Sequence, residues 1–411
     1  MFYFGAATSS HQVEGGNQND WSEWEKETAG LLAKKANEMN TGMRWPHFIL
    51  KNYPNPLQEE NYISGRASSH YPRYKEDFKT AKSLGHNAHR LSLEWSRIEP
   101  QKGIFNSAAI AHYKDVIKSL RKNGLEPFVT IWHWPLPFWV RDQGGWTSSK
   151  TREDFVRFTK KVAEAFKDDV RFWITLNEPE IYATNGYLKG VWPPQKKNPF
   201  SYLASLHNLI KAHKLSFSAL KKINAGFQIG IAKNNIYFEA YQNKPINLLL
   251  KKAADWWWNF YILDRIADSM DFIGLNYYFH NRINSGFNKN ENKLVSDMGW
   301  ELYPDGLYYV LTDLKKYGKP IYVTENGLAD AEDKNREWFI GESLSAVRRA
   351  QKDGADVRGY FYWSLLDNFE WDKGFWPRFG LIAVNYKTMK RTVRKSALAY
   401  KKLIKQWTPK D

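Results

Sequence analysis

The chain has 411 residues, 43% of them hydrophobic and 25% charged, with no cysteine, a formal net charge of +16 and a mean hydropathy of −0.62. The missing cysteine excludes disulfides and thiolate metal sites, and no apolar run reaches the length of about 18 residues that a membrane-spanning helix needs. The excess charge lies in scattered pairs such as Lys34-Lys35, Lys160-Lys161 and Lys401-Lys402, a pattern of a solvated basic surface and not of a nucleic-acid interface, which needs clustered cations with interleaved aromatics.

In chain order, short apolar β-rich runs alternate with amphipathic stretches. The strand-like runs are Phe2 to Ala6, Ala88 to Trp95, Pro127 to His133, Phe172 to Asn177, Gln228 to Ala232, Asp271 to Tyr277, Ile321 to Glu325 and Arg358 to Ser364. The helix-like stretches are Tyr74 to Leu84, Ser107 to Asn123, Lys150 to Phe166, Ser201 to Ile223, Ile246 to Ile266, Gly306 to Tyr317, Asn335 to Asp353 and Thr392 to Gln406. Several end at a glycine (Gly85, Gly124, Gly318, Gly354), as helix C-caps do. Strict alternation of eight strands with helices predicts an α/β fold in which one (β/α)8 barrel fills residues 1–411 as a single catalytic domain, since no linker interrupts it. The first run follows Met1 with no basic region or apolar leader, which makes the cytoplasm the expected location. Long excursions at 7–73, 179–200, 278–305 and 364–390 all follow strand C-termini, the face on which such barrels place their active sites.

Two strands end in a manner that packing does not require. Phe172-Trp173-Ile174-Thr175-Leu176-Asn177-Glu178-Pro179 runs from an apolar ladder into an amide, a carboxylate and a proline, and proline stops the ladder for want of an N–H. Pro320-Ile321-Tyr322-Val323-Thr324-Glu325-Asn326-Gly327 ends likewise in a glutamate. Two carboxylates delivered to one barrel mouth are the equipment of most glycosidases. Other strand ends carry Gln12, Arg90, His133 with Trp134, Asn276 with Tyr278, and Trp363 through Glu370-Trp371. Each has a plainer account alone: a strand-end Glu is usually solvated, Arg90 has Glu94 within reach along its own strand, and a lone His or Trp is usually core. Their joint placement on one face of one predicted barrel is what points to chemistry.

The chain resembles glycoside hydrolase family 1, the β-glucosidase and β-galactosidase family, from about residue 2 to about 404. Thr175-Leu176-Asn177-Glu178-Pro179 matches its acid/base motif and Thr324-Glu325-Asn326-Gly327 its nucleophile motif; the blocks around Gln12, Arg90, His133, Asn276 and Trp363, and the stretch to Arg378-Phe379-Gly380-Leu381, match as well. The resemblance implies hydrolysis of terminal β-glucosides, with β-galactosides and β-fucosides as secondary substrates, by double displacement. It makes Glu325 the nucleophile and Glu178 the general acid/base, supported by Arg90, Asn177, Asn276 and Tyr278. Gln12, His133, Trp134, Trp363, Glu370, Trp371 and Phe379 become the substrate-binding set. It implies no metal or organic cofactor and a small β-glycoside or oligosaccharide as the only partner, with no nucleic acid and no membrane, and leaves the oligomeric state open. Glu370, Pro377 and Phe379 stand where the branch that takes 6-phosphorylated glycosides tends to have Ser, Lys and Tyr, so an unphosphorylated sugar is expected. A transglycosidase with the same carboxylates, or a non-catalytic carbohydrate-binding barrel, is the alternative reading. Phe4 replaces a usual Trp, the chain begins at the first strand, and the segment between Asp255 and Asp271 is shorter than in relatives, implying a more open leaving-group cleft that tolerates long cello-oligosaccharides.

Overall fold

The computed structural model describes residues 1–42 and 45–407. Eight parallel strands close into a barrel in sequence order: β1 (Tyr3–Ala7), β2 (Ala88–Ser92), β3 (Glu126–Trp132), β4 (Phe172–Asn177), β5 (Gln228–Ala240), β6 (Phe272–Ile283), β7 (Ile321–Asn326) and β8 (Val357–Trp363). Closure comes from β1 lying parallel to β8, with Gly5 beside Phe361 and Ala7 beside Trp363. The predicted eightfold alternation is therefore the observed one.

Inside the barrel, alternate residues of each strand face the axis. The lower interior is an aromatic plug: the Phe128 and Phe172 rings stack with centroids 4.2 Å apart, and Tyr3, Phe272, Tyr322 and Phe361 meet Phe128 edge-on. Each fully buried ring of this kind contributes about 1.5–3 kcal/mol from apolar burial. Toward the C-terminal ends the inward residues turn polar, as buried Arg90, Thr130, Asn177, Asn276 and Glu325 replace the rings. A second core lies between strands and helices, where Ile131, Val129, Trp173, Leu275 and Val323 face the apolar stripes of helices such as Ser107–Lys122 and Ser149–Phe166.

The structure revises several of the expected elements, the second strand among them, which ends at Ser92 before a short helix Trp95–Ile98. The first excursion, 7–73, holds the helix Asp20–Gly42, whose Trp21, Trp24, Ala29, Ala33 and Ala36 are buried. The fifth and sixth strands run beyond Ala232 and Tyr277 and stay paired, Ile236 beside Phe279 and Ala240 beside Ile283, so a two-stranded ribbon rises above the barrel mouth. The helix expected over 246–266 breaks into Pro245–Ala254, a π-helical turn Asp255–Phe260 and Tyr261–Ile266. The wide turn lets Asn259 grip the ribbon, accepting from Ile236 N and donating to Ile236 O, both at 2.9 Å. The final expected helix begins only at Lys395, because 392–393 belong to a hairpin formed by β9 (Ile382–Asn385) and β10 (Lys390–Val393). Among the described residues no helix is long and apolar enough to cross a membrane.

Candidate active site

A cavity of about 610 Å³ opens at the C-terminal end of the barrel. Glu178 and Glu325 both line it, with His133, Trp134, Asn177, Tyr278, Trp363, Glu370, Trp371 and Phe379. Arg90 and Asn276 lie one layer behind, against the carboxyl groups, and Gln12 lies beneath Glu370. Every residue expected from the sequence thus falls within one constellation, though not all of them reach the cavity surface.

The two carboxyl groups are held in opposite ways. Glu325 leaves the tip of β7 with Oε1 on the Arg90 guanidinium and Oε2 accepting from the Tyr278 hydroxyl at 2.8 Å. Burial raises its pKa above the ordinary 4.5, and Arg90 followed by Tyr278 opposes that rise by stabilising the anion. Arg90 is itself fixed by Thr130 Oγ1 at 3.0 Å and Asn177 Oδ1 at 2.6 Å. It makes no bond to Glu94, which instead accepts from Ser10, Asn19 and Ser96.

Glu178 stands just past β4 with φ of 41°, in the left-handed region, and Pro179 opens the short helix Pro179–Ala183 behind it. That backbone state is uncommon for a non-glycine residue and typical of functional positions. Among the described residues no cation touches its carboxyl group. Both hydrogen bonds to it fall on Oε1, from Asn276 Nδ2 at 2.9 Å and Asn234 Nδ2 at 3.0 Å. Burial first, then the Glu325 and Glu180 charges, push its pKa up to about 8, against the pull of the two amides. One carboxyl is thus held by a cation and a hydroxyl, which favour its charged form, and the other by neutral amides at a raised pKa, which favours the protonated form.

Around them, Asn177 Oδ1 accepts from Arg90 and Asn276, which orients its amide so that Nδ2 donates to His133 Nε2 at 3.0 Å. Burial, then Arg90 and His11, hold the His133 pKa well below its usual value, so the ring is neutral with its proton on Nδ1, an atom without a protein partner. Trp134 anchors to the strand tip by donating from Nε1 to Asn177 O at 2.9 Å. The His133 ring lies near-parallel to Trp363 and Trp371, centroids 6.0 Å away on each. Gln12 Nε2 donates to Phe369 O at 2.8 Å and to Glu370 Oε2 at 3.3 Å, and Asn368 Nδ2 donates to the same oxygen. Burial moves the Glu370 pKa up to about 8.

Three side chains of this network have no signature in the sequence reading. Asn234, Lys233 and Glu180 form a buried group behind Glu178, and the polar triplet Lys233-Asn234-Asn235 at the fifth strand is the signal that marks it. On the outer side, Ile181, Ile236, Trp258, Met298 and Trp300 line the rim, with Lys189 and Lys373 at its edge. Among the described residues no group of three or more His, Asp or Glu is placed to hold a metal ion.

Comparison with known proteins is consistent along the chain. The model of "Glycosyl hydrolase family 1" matches residues 1–267 and 261–408. The break falls in the segment that reads as short. A 1,4-beta-D-glucan glucohydrolase of Thermotoga neapolitana is 32% identical over 453 aligned positions, covering 98% of this chain and 97% of that protein. Among solved structures, a beta-glycosidase from Pyrococcus horikoshii superposes with a TM-score of 0.85 at 34% identity, over 98% of this chain and 93% of that one. The beta-glucosidase from Thermotoga maritima in complex with glucoimidazole gives 0.85 at 29% identity, over 98% of each chain.

Proposed function

The chain belongs to glycosyl hydrolase family 1 and is a β-glycosidase, and on that premise we propose a retaining exo-enzyme that hydrolyses terminal non-reducing β-D-glucosides, with β-galactosides and β-fucosides as secondary substrates. The observation that carries this reading is the unequal treatment of two carboxyl groups on one cavity: Glu325 held by Arg90 and Tyr278, Glu178 held by amides alone with its pKa at about 8.

In the first step a Glu325 oxygen bonds to the anomeric carbon as the bond from that carbon to the leaving oxygen breaks. The Glu178 proton passes to that oxygen. Esterification removes the Glu325 charge, the second cause of the raised Glu178 pKa. Glu178 becomes a stronger acid and so stays ionised, ready to take a proton from the water that attacks the anomeric carbon and frees Glu325. A direct attack by the second carboxylate requires a separation of about 5–5.5 Å.

Asn177 presents its amide to the sugar 2-hydroxyl, a contact that strengthens in the oxocarbenium-like transition state. His133, Gln12, Glu370 and Trp371 take the remaining hydroxyls, Trp363 supplies the stacking floor, and Trp134 and Phe379 close the walls. The glycone is unphosphorylated: Pro377 and buried Phe379 offer no cation, and Lys373 at the rim is tied to Asp372 at 2.8 Å. Residues 1–411 act as one catalytic domain that needs no metal or organic cofactor.

The test is release of 4-nitrophenol from its β-glucoside, β-galactoside and β-fucoside by wild type and by Glu325→Gln. The wild type releases it, and the substitution removes activity by on the order of a thousandfold or more. The pH profile of kcat/KM is a bell, with its acidic limb above 4.5 from Glu325 and its basic limb near 8 from Glu178. No release by folded wild type, or equal rates in the variant, overturns the assignment.

A further inference from the structure

Behind Glu178 lies a buried ion pair that the double displacement does not itself use. Lys233 is wholly buried on β5, and its Nζ donates to Glu180 Oε1 at 2.9 Å. Glu180 is the second residue after Glu178 and is also buried. The pair closes on one residue from both sides. Glu180 Oε1 accepts from the backbone N of Asn234 at 2.8 Å, and Lys233 Nζ donates to the backbone O of Asn234 at 2.6 Å. The side chain of the residue so clamped reaches Glu178, with Nδ2 donating to Oε1 at 3.0 Å.

Isolated buried charges are costly, and a buried pair is weak evidence for stability, because apolar residues of similar volume often do as well. The geometry gives this pair another task. Glu178 Oε1 receives two N–H donors, from Asn234 and Asn276, so it acts as an acceptor, and the proton of the neutral acid belongs on Oε2. A general acid must present its proton to the leaving oxygen within hydrogen-bond reach. Rotation of the Glu178 carboxyl group by half a turn would place that proton against two donors. Asn234 also lines the cavity, and its Oδ1 has no partner among the described residues.

We propose that Glu180 and Lys233 are positioning residues for general acid catalysis: by clamping the backbone of Asn234 they hold its amide on Glu178 Oε1 and thereby keep the transferable proton on Oε2, facing the leaving group. This rests on the acid/base role proposed for Glu178. The titratable groups facing Glu178 are Glu180 on its own helix, Lys233 on β5, the neutral Tyr278 on β6 and Glu325 on β7, with Arg90 on β2 acting through Asn177. Replacing Glu180 by a neutral isostere removes one like charge from this set.

The experiment compares kcat/KM, which reports the first displacement, for two β-glucosides: 2,4-dinitrophenyl, whose leaving group departs without a proton, and octyl, whose leaving group needs one. Lys233→Met and Asn234→Ala are expected to lower kcat/KM for octyl glucoside by about ten- to a hundredfold, the range of a charge-assisted hydrogen bond. The dinitrophenyl substrate stays within about twofold. Glu180→Gln keeps both hydrogen bonds and guards against loss of folding in the other two; it is expected to hold kcat/KM for octyl glucoside within about threefold of wild type while moving the basic limb of its profile to lower pH. Equal losses on both substrates in Lys233→Met and Asn234→Ala, or a loss on octyl glucoside in Glu180→Gln as large as theirs, overturn the proposal. Glu178→Ala is the control. If it fails to separate the two substrates, the role of Glu178 is wrong; if it separates them and the other variants do not, only the role of the ion pair is wrong.

Discussion

At the scale of single residues, the site separates two glutamates by their surroundings and not by their chemistry. Arg90 and Tyr278 offer positive charge and a donor to Glu325, whereas Glu178 and Glu370 receive only amides and are pushed to about 8 by burial. Such carboxyls oppose stability at alkaline pH. Below the ordinary 4.5 Glu178 is neutral in folded and unfolded chains alike. Between 4.5 and about 8 the unfolded chain ionises it while the folded chain keeps the proton, so stability is full at acid pH and is lost as pH rises toward 8. The penalty is at most about 1.4 kcal/mol per pH unit crossed. Glu178→Gln mimics the neutral acid and can accept from Asn234 and Asn276 through its carbonyl. It should melt at the same temperature as wild type near pH 4.5 and higher near pH 8.5; an equal or lower melting temperature at pH 8.5 would mean that the folded protein does not hold this proton. The glutamates are legible in the sequence because an apolar ladder that stops on a carboxylate lacks a packing reason. Glu180, Lys233 and Asn234 are not, because a Glu in a first helical turn and a Lys after an apolar run have ordinary explanations.

At the scale of elements, the strands that hold the chemistry are read correctly where the alternation of side chains follows burial. Strand β4 coincides with its expected range. Strands β5 and β6 outrun theirs because the ribbon above the barrel carries mixed polar faces, Asn235, Tyr237 and Glu239 on one strand and His280 and Arg282 on the other. His280 bridges Glu239 at 2.9 Å and Glu301 at 2.5 Å, a stabilisation that no hydrophobic period announces. The helix Asp20–Gly42 hides for a similar reason, since its buried apolar positions, Trp21, Trp24, Ala29, Ala33 and Ala36, are outnumbered by charged ones, two of which, Asp20 and Glu25, are buried as well. The tip of β7 is held tightly. Asn326 donates to Tyr277 O at 2.7 Å and accepts from the Tyr360 hydroxyl at 2.8 Å, and a Cβ on Gly327 would lie 2.0 Å from Trp363 O. Gly327→Ala must therefore push apart the segments that carry Glu325 and Trp363. Displacement of a catalytic group by about 1 Å costs on the order of a hundredfold in rate. The variant is expected to lose about that factor in kcat/KM on 4-nitrophenyl β-glucoside; wild-type activity would show that the strand end yields without moving the nucleophile.

At the scale of the molecule, an aromatic plug of Tyr3, Phe128, Phe172, Phe272, Tyr322 and Phe361 seals the lower barrel and gives the polar layer above it a rigid floor. The site draws on β2, β3, β4, β5, β6, β7 and β8, so its geometry is a property of barrel closure and not of any single segment. The net positive charge of the chain is not mirrored in the cavity, where Glu178, Glu325, Glu370 and Asp372 outnumber Lys189 and Lys373 among the lining residues. The alignment with the Thermotoga neapolitana relative extends to 453 positions for a chain of 411, so that relative carries segments that this chain lacks. The central claim is the double displacement by Glu325 and Glu178, and the anomeric form of the first product tests it most directly. Proton NMR of 4-nitrophenyl β-glucoside hydrolysis, followed from the first turnovers and before mutarotation, should show β-glucose appearing first and α-glucose only later. If α-glucose appears first, a single inverting displacement operates, and the roles given to Glu325 and Glu178 are wrong.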